Sequence, residues 1–318
     1  MLRFFTIEAG LLLEMAHDES RDRVQLAKQA VWIDALDPTD DERQAISELL
    51  QIELPETEAV EEIETSARFF VDKSGVHVHS LFLQRSDGRY LNTSVACILQ
   101  HQRLVTIRDE DIADFRLLRF RARRQQIRCQ NVESLIITIL EQKIENHADM
   151  LEDIHRALEK ISHQVLEEQD ADLEECINQL AALEDSNGKV RLCLMDTQRA
   201  LSFLLRNLKS RESHKERIQD VARDVESLMS HTTFLFDKIN FLMDSTQGFI
   251  SIQQNQIIKI FSIAAVVFLP PTVIASIFGM NFKFMPSLDW SWGYPAALLL
   301  MLASGFAPYL YFKRKGWL

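Results

Sequence analysis

The sequence predicts an α/β N-terminal domain, a long α-helical stalk and two C-terminal transmembrane helices, and three observations carry that reading. Gly10, Gly75, Gly88, Pro38 and Pro55 all fall in the first ninety residues among short β-rich runs, after which no glycine occurs before Gly188 and no proline before Pro270. In the middle of the chain, apolar residues recur in alternating steps of four and three, the period of packed helices. Near the end, 23 uncharged residues lie between Lys259 and Lys283 and another 23 between Asp289 and Lys313. Each stretch exceeds the roughly 20 residues that a helix needs to cross a bilayer.

In chain order, MLRFFTIEAGLLLEM reads as a strand pair turning at Ala9-Gly10. It is not a secretory leader, because Glu8 and Glu14 interrupt the apolar run and no small-x-small cleavage pattern follows. Further strands are expected at 31–33, 67–71, 76–83, 94–99 and 104–107, and Thr39 with Glu42 forms a capping box that opens a helix to about Leu50. These elements make an α/β domain over residues 1–128. Arg116, Arg119, Arg121, Arg123, Arg124 and Arg128 form a basic helix at its end. Up to residue 256 the chain holds 30 basic against 46 acidic residues, so these arginines read as partners of acidic helices. That charge disfavours nucleic acid as a partner and attracts divalent cations.

Residues 129–256 are expected to form the helical stalk. Leu140, Ile144, His147, Leu151, Ile154, Leu158, Ile161 and Val165 make one seam, and Val190, Leu194, Thr197, Leu201, Leu204 and Leu208 make another. The acidic run Glu167 to Glu175 marks the connection between helices, and from about Gly188 onward no clear stop precedes the membrane, which predicts one helix running on into the first span. Cys97, Cys129, Cys176 and Cys193 form no C-x-x-C pair and read as reduced thiols. His77 and His79 share a strand face and His147 sits in a helical seam; all three read as packed residues.

Residues 257–318 form a hairpin with spans at about 257–278 and 293–312 and an external loop over 279–292. Lys259 begins the first span and Lys313, Arg314 and Lys315 follow the second, so both termini are placed in the cytoplasm by the positive-inside rule. Trp290, Trp292 and Tyr294 at one end of the second span, and Tyr309, Tyr311 and Trp317 at the other, match interfacial aromatic belts. On the first span, Asp244, Gly248, Ser251, Asn255, Ile258, Ser262, Ala265, Leu269, Thr272, Ser276 and Gly279 recur in four-three steps on one face. Small residues in a membrane helix serve close packing equally well, but the amide and carboxylate at the wet end turn the reading toward a water-filled path. Two spans cannot enclose a pore, whereas a ring of identical chains can.

The segment FGMNFKFMPSLDWSWGYP, Phe278 to Pro295, resembles the signature loop of the CorA magnesium and cobalt transport proteins, with its G-M-N triad and following M-P-x-L-x-W-x-x-G-Y-P run. KVRLCLMDTQRAL (Lys189 to Leu201) and the terminal YFKRKGWL are also similar to that family, and the likeness covers essentially the whole chain. It implies a homopentameric channel in the cytoplasmic (inner) membrane for hydrated Mg²⁺, with Co²⁺ and Ni²⁺ as further cargo. Gly279, Met280 and Asn281 would form its external mouth. Asp244, Asn255 and Thr272 fall where the family's pore is polar, and Ile258 and Leu269 where it is constricted. Asp220, with Asp87 as its partner, is similar to an inter-subunit Mg²⁺ site through which cytoplasmic Mg²⁺ would gate the channel.

Two departures stand out. Ser287 and Lys283 occupy loop positions that are acidic in many members, and Phe278 replaces a common tyrosine. A proton-linked Zn²⁺ transporter on the same scaffold is the alternative, disfavoured by the intact Met280. A two-span membrane sensor fits less well, because it needs no polar pore face. No phosphate loop, nucleophile motif or carboxylate pair points to an enzyme.

Overall fold

A computed structural model describes residues 1–15, 23–50, 68–86, 89–168, 171–208, 212–280 and 290–316. The chain divides into two compact units, Met1–Met243 and Asp244–Leu318. The first is built on a seven-stranded mixed sheet. Strands β1 (Leu2–Glu8) and β2 (Leu11–Glu14) form a hairpin through Ala9 and Gly10, whose φ values of 51° and 78° are those of a two-residue type I′ turn. Strand β3 (Trp32–Leu36) pairs antiparallel with β1 and parallel with β7 (Leu104–Arg108). Strands β4 (Phe69–Val71), β5 (Val76–Ser86) and β6 (Arg89–Leu99) continue antiparallel from β7, giving the order β2-β1-β3-β7-β6-β5-β4. Strand β6 begins five residues before its apolar half. Its polar start is held by pairing with β5 from Ser86↔Arg89 onward, a contact that hydrophobic patterning does not encode.

One sheet face carries Phe4, Ile33, Ala35, Ala96, Ile98 and Ile107 in a core with Leu26 and Ile46. Leu26 comes from helix α1 (Arg23–Gln29), too short to show a period in the sequence, and Ile46 from α2 (Asp40–Leu50). The capping box of α2 forms as expected, with Thr39 Oγ1 accepting from the Glu42 amide and Glu42 Oε2 from the Thr39 amide, both at 3.4 Å. The other face packs on α3 (Ala113–Arg123), α4 (Val132–Glu167) and α5 (Leu173–Asn207). Helix α4 starts from a reciprocal cap between Asn131 and Ser134, and Asp172 caps α5 by accepting from the Glu175 amide at 3.1 Å. Both expected seams, from Leu140 to Val165 and from Val190 to Leu208, are buried throughout.

A single helix does run on into the first apolar stretch as expected, but its expected start near Gly188 is overturned. Gly188 lies inside α5, which ends at Asn207, and a separate helix α6 runs Glu212–Phe278. Leu208 leaves the helix with ψ 126° and its side chain is buried, so packing, with no glycine or proline, sets this stop.

Buried charge ties the sheet to its helices. Lys143 on α4 is fully buried, donates to Ser80 Oγ at 2.9 Å and lies 4.5 Å above the Phe82 ring. Ser80 in turn donates to Asp196 Oδ2 on α5 at 2.7 Å, and the Leu81 amide reaches the same oxygen at 2.8 Å. Arg68 Nη1 lies 3.3 Å from Asp196 Oδ1. A second network joins Asp34 to Arg108 and to Arg119, which also holds Asp111 Oδ1 at 2.9 Å. The basic helix is thereby absorbed: Arg116 pairs with Asp111, Arg121 with Glu145 and Arg123 with Glu14. His77 stacks on Phe70, and burial pushes His79 down to about 4 and His147 down to about 3. The four cysteines are free and buried.

Removing one partner of a buried ion pair strands the other charge. Asp196→Ala is therefore expected to cost about 3–5 kcal/mol of stability. Asp220→Ala, on an exposed surface, should cost less than about 1 kcal/mol. Thermal or denaturant unfolding of the two variants side by side checks the difference.

Candidate pore face and loop

The second unit consists of α6 from Asp244 onward and helix α7 (Gly293–Arg314). Both helices contain windows long and apolar enough to span a membrane. They pack along one seam. From residue 257 to the end of α6, the side chains that are not exposed are Ile263, Ala264, Val267, Pro270, Pro271, Ile274 and Phe278. On α7 the covered face is Gly293, Ala296, Ala297, Met301, Ser304, Gly305, Pro308 and Phe312. Most of these α7 residues are small, which lets two backbones approach closely where lipid offers no hydrophobic drive.

The polar stripe lies on the opposite side of α6. At about 100° per residue, Ser262, Ala265, Leu269, Thr272 and Ser276 centre roughly 180° from the seam residues. Asp244, Ser251, Asn255, Ile258, Ser262, Ala265, Leu269, Thr272 and Ser276 are all exposed, Ile258 and Leu269 each at 61%. Nothing on α7 covers them. Lipid is a poor neighbour for an amide, three serines, a threonine and a carboxylate, so this face requires water or another protein surface.

The stripe presents acceptors. Thr272 Oγ1 donates its proton to the Phe268 carbonyl at 2.7 Å, which leaves the oxygen lone pairs directed away from its own backbone. Asp244 and Asn255 add a carboxylate and an amide carbonyl, and no Lys or Arg occupies the stripe. Such a surface suits the water protons of a hydrated cation. The large apolar Ile258 and Leu269 interrupt it.

At the end of α6, Gly279 follows the last helical residue and its amide donates to the Ala275 carbonyl at 2.9 Å. A Cβ there would lie 3.2 Å from that same oxygen, so glycine suits this tight exit. Met280 is 47% exposed. Asn281 and Asp87 lie outside the described residues. Asp220 is on α6 within the first unit, exposed and ion-paired with Arg223 one turn on. Among the described residues, no group of three or more His, Cys, Asp and Glu side chains is arranged to hold a metal within one chain.

A family model described as CorA-like Mg²⁺ transporter protein matches residues 27–314. The chain belongs to this family. It is 46% identical to the magnesium transport protein CorA of Salmonella typhimurium over 320 residues, covering 100% of both chains. The same figures hold for the protein of that name in Escherichia coli K12. Among solved structures, it is similar to the complete CorA magnesium transporter from Methanocaldococcus jannaschii, with a TM-score of 0.77 and 18% identity over 100% of this chain and 99% of that one. The full-length CmaX protein matches with a TM-score of 0.71 and 14% identity over 99% and 97%. At these identities the structural matches speak for the fold.

Two features of the family member's hairpin escaped the sequence reading: the seam glycine Gly305 and the effect of Pro270-Pro271 on the helix it faces. The adjacent prolines were the visible signal, since each removes a helical donor.

If the stripe faces water, single cysteines replacing Asn255, Ser262 or Thr272 react with small water-soluble thiol reagents faster than cysteines replacing Phe261 or Val266. Equal labelling of both sets would show that this face does not line a wet path.

Proposed function

We propose that the protein is a channel for hydrated Mg²⁺, assembled as a pentamer in the cytoplasmic membrane with both termini inside. The observation that carries this reading is the polar stripe of α6 turned directly away from α7. A ring of α6 helices, each backed by its own α7, buries every stripe around one axis and leaves the apolar α7 surfaces to lipid. Membership in a family of Mg²⁺ transporters and full-length identity to proteins named for magnesium transport supply the cargo.

Gly279, Met280 and Asn281 form the outer mouth. Neutral carbonyl acceptors there recognise the ion through its shell, which avoids the dehydration cost that Mg²⁺ resists. Co²⁺ and Ni²⁺, also divalent and strongly hydrated, follow the same route. Asp220 and Asp87 of adjacent subunits form the regulatory site. The exposed Asp220 pair with Arg223 is no obstacle, because surface pairs of this kind contribute at most about 1 kcal/mol. Mg²⁺ bridging carboxylates between subunits stabilises a closed ring, and its loss lets like charges separate the stalks and widen the constriction at Ile258 and Leu269.

Purified protein in liposomes takes up Mg²⁺ without an imposed pH gradient, and Asn281→Ala abolishes uptake with the oligomer intact. Normal uptake by an assembled Asn281→Ala protein sinks the mouth assignment, and uptake of Zn²⁺ only under a proton gradient sinks the Mg²⁺ channel. Asp220→Ala should conduct with weaker inhibition by internal Mg²⁺; an unchanged inhibition curve assigns sensing to other carboxylates.

A further inference from the structure

Pro270 and Pro271 stand inside α6. Proline carries no N–H, so the carbonyls of Val266 and Val267 lose the donors that a helix supplies four residues on. In hydrocarbon no water replaces those donors. The α7 backbone comes up to this break at Gly305: a Cβ built there would lie 3.3 Å from Pro271 Cγ and 3.5 Å from the Val267 carbonyl oxygen. With no side chain in between, the polarised Cα–H groups of the glycine are free to approach that carbonyl, a weak but recurrent kind of contact between packed helices. Around α6, Leu269 lies about 160° from Pro271, since the two are separated by two steps of about 100°. Pressure applied at Pro271 is therefore directed toward the side that bears Leu269. The missing hydrogen bonds make this the point where α6 bends most easily.

We infer that Gly305 is a positioning residue for ion passage: by carrying no side chain, it sets the distance of α6 from α7 at the proline break, and so the position of Leu269 at the constriction. This rests on the channel reading above. A methyl group at Gly305 requires the Pro271 ring, or the helix that carries it, to give by a few tenths of an ångström.

The test uses the full-length protein in liposomes and measures three things: Mg²⁺ uptake, oligomer size, and thiol labelling of Leu269→Cys and Ser251→Cys. Gly305→Ala is expected to lower uptake by roughly fivefold or more with the oligomer retained. It should slow labelling at residue 269 and leave labelling at residue 251 unchanged. Adding Pro271→Ala removes the ring carbon and restores an N–H for the Val267 carbonyl, so the double variant recovers to the level of Pro271→Ala alone. Unchanged uptake and labelling in Gly305→Ala overturn the inference. So does a loss of assembly that Pro271→Ala fails to rescue, because Gly305 would then serve assembly only. If the unmodified protein takes up no Mg²⁺, the channel reading fails, while the labelling ratio still decides whether Gly305 positions residue 269.

Discussion

A helix in a bilayer keeps polar side chains only where hydrocarbon does not reach them, and this constraint organises the second unit of the chain, Asp244–Leu318. Helix α6 is two-faced. One side is sealed by the small residues of α7, and the diametrically opposed side carries hydroxyl, amide and carboxylate groups with no cover in a single chain. In a membrane, a lone hairpin would have to expose that second side to lipid. The same logic accounts for the composition of α7, apolar around most of its circumference with small residues concentrated on its seam.

The first unit solves a different problem. Its long helices must be held rigidly against a sheet, and apolar seams alone tolerate sliding. The buried Lys143, Ser80, Asp196 and Arg68 network joins α4, α5 and β5 through directional bonds that are satisfied in one register. Such networks contribute more to uniqueness of arrangement than to net stability in some proteins, and here the two helices joined are the ones that carry the long buried seams. Asp34 does the same on the sheet's other half, where Thr106 donates to it at 2.9 Å and itself accepts from the Trp32 indole at 3.0 Å.

Much of this was legible in the sequence because it follows from period and punctuation. The Ala9-Gly10 turn, the Thr39-Glu42 cap and the two buried seams are local patterns with one physical meaning each. What was not legible depended on partners distant in the chain. Lys143 sits mid-helix like any solvated lysine until Asp196 and Ser80 are brought to it. The stop at Leu208 carries no glycine or proline, and Gly188, which does, lies within a continuous helix. The stripe could be read, but the side of α6 that α7 covers could not, because the choice between packing and water depends on where the second helix sits.

The four cysteines have a consequence for the setting in which such a protein can operate. Each is buried, and burial raises all four thiols, with Cys97 and Cys193 pushed up to about 12. The thiolate is the nucleophile that attacks peroxides and disulfides, and at neutral pH thiols raised in this way present little of it. Burial thus keeps these four sulfurs largely in the thiol form, the form least disposed to disulfide exchange.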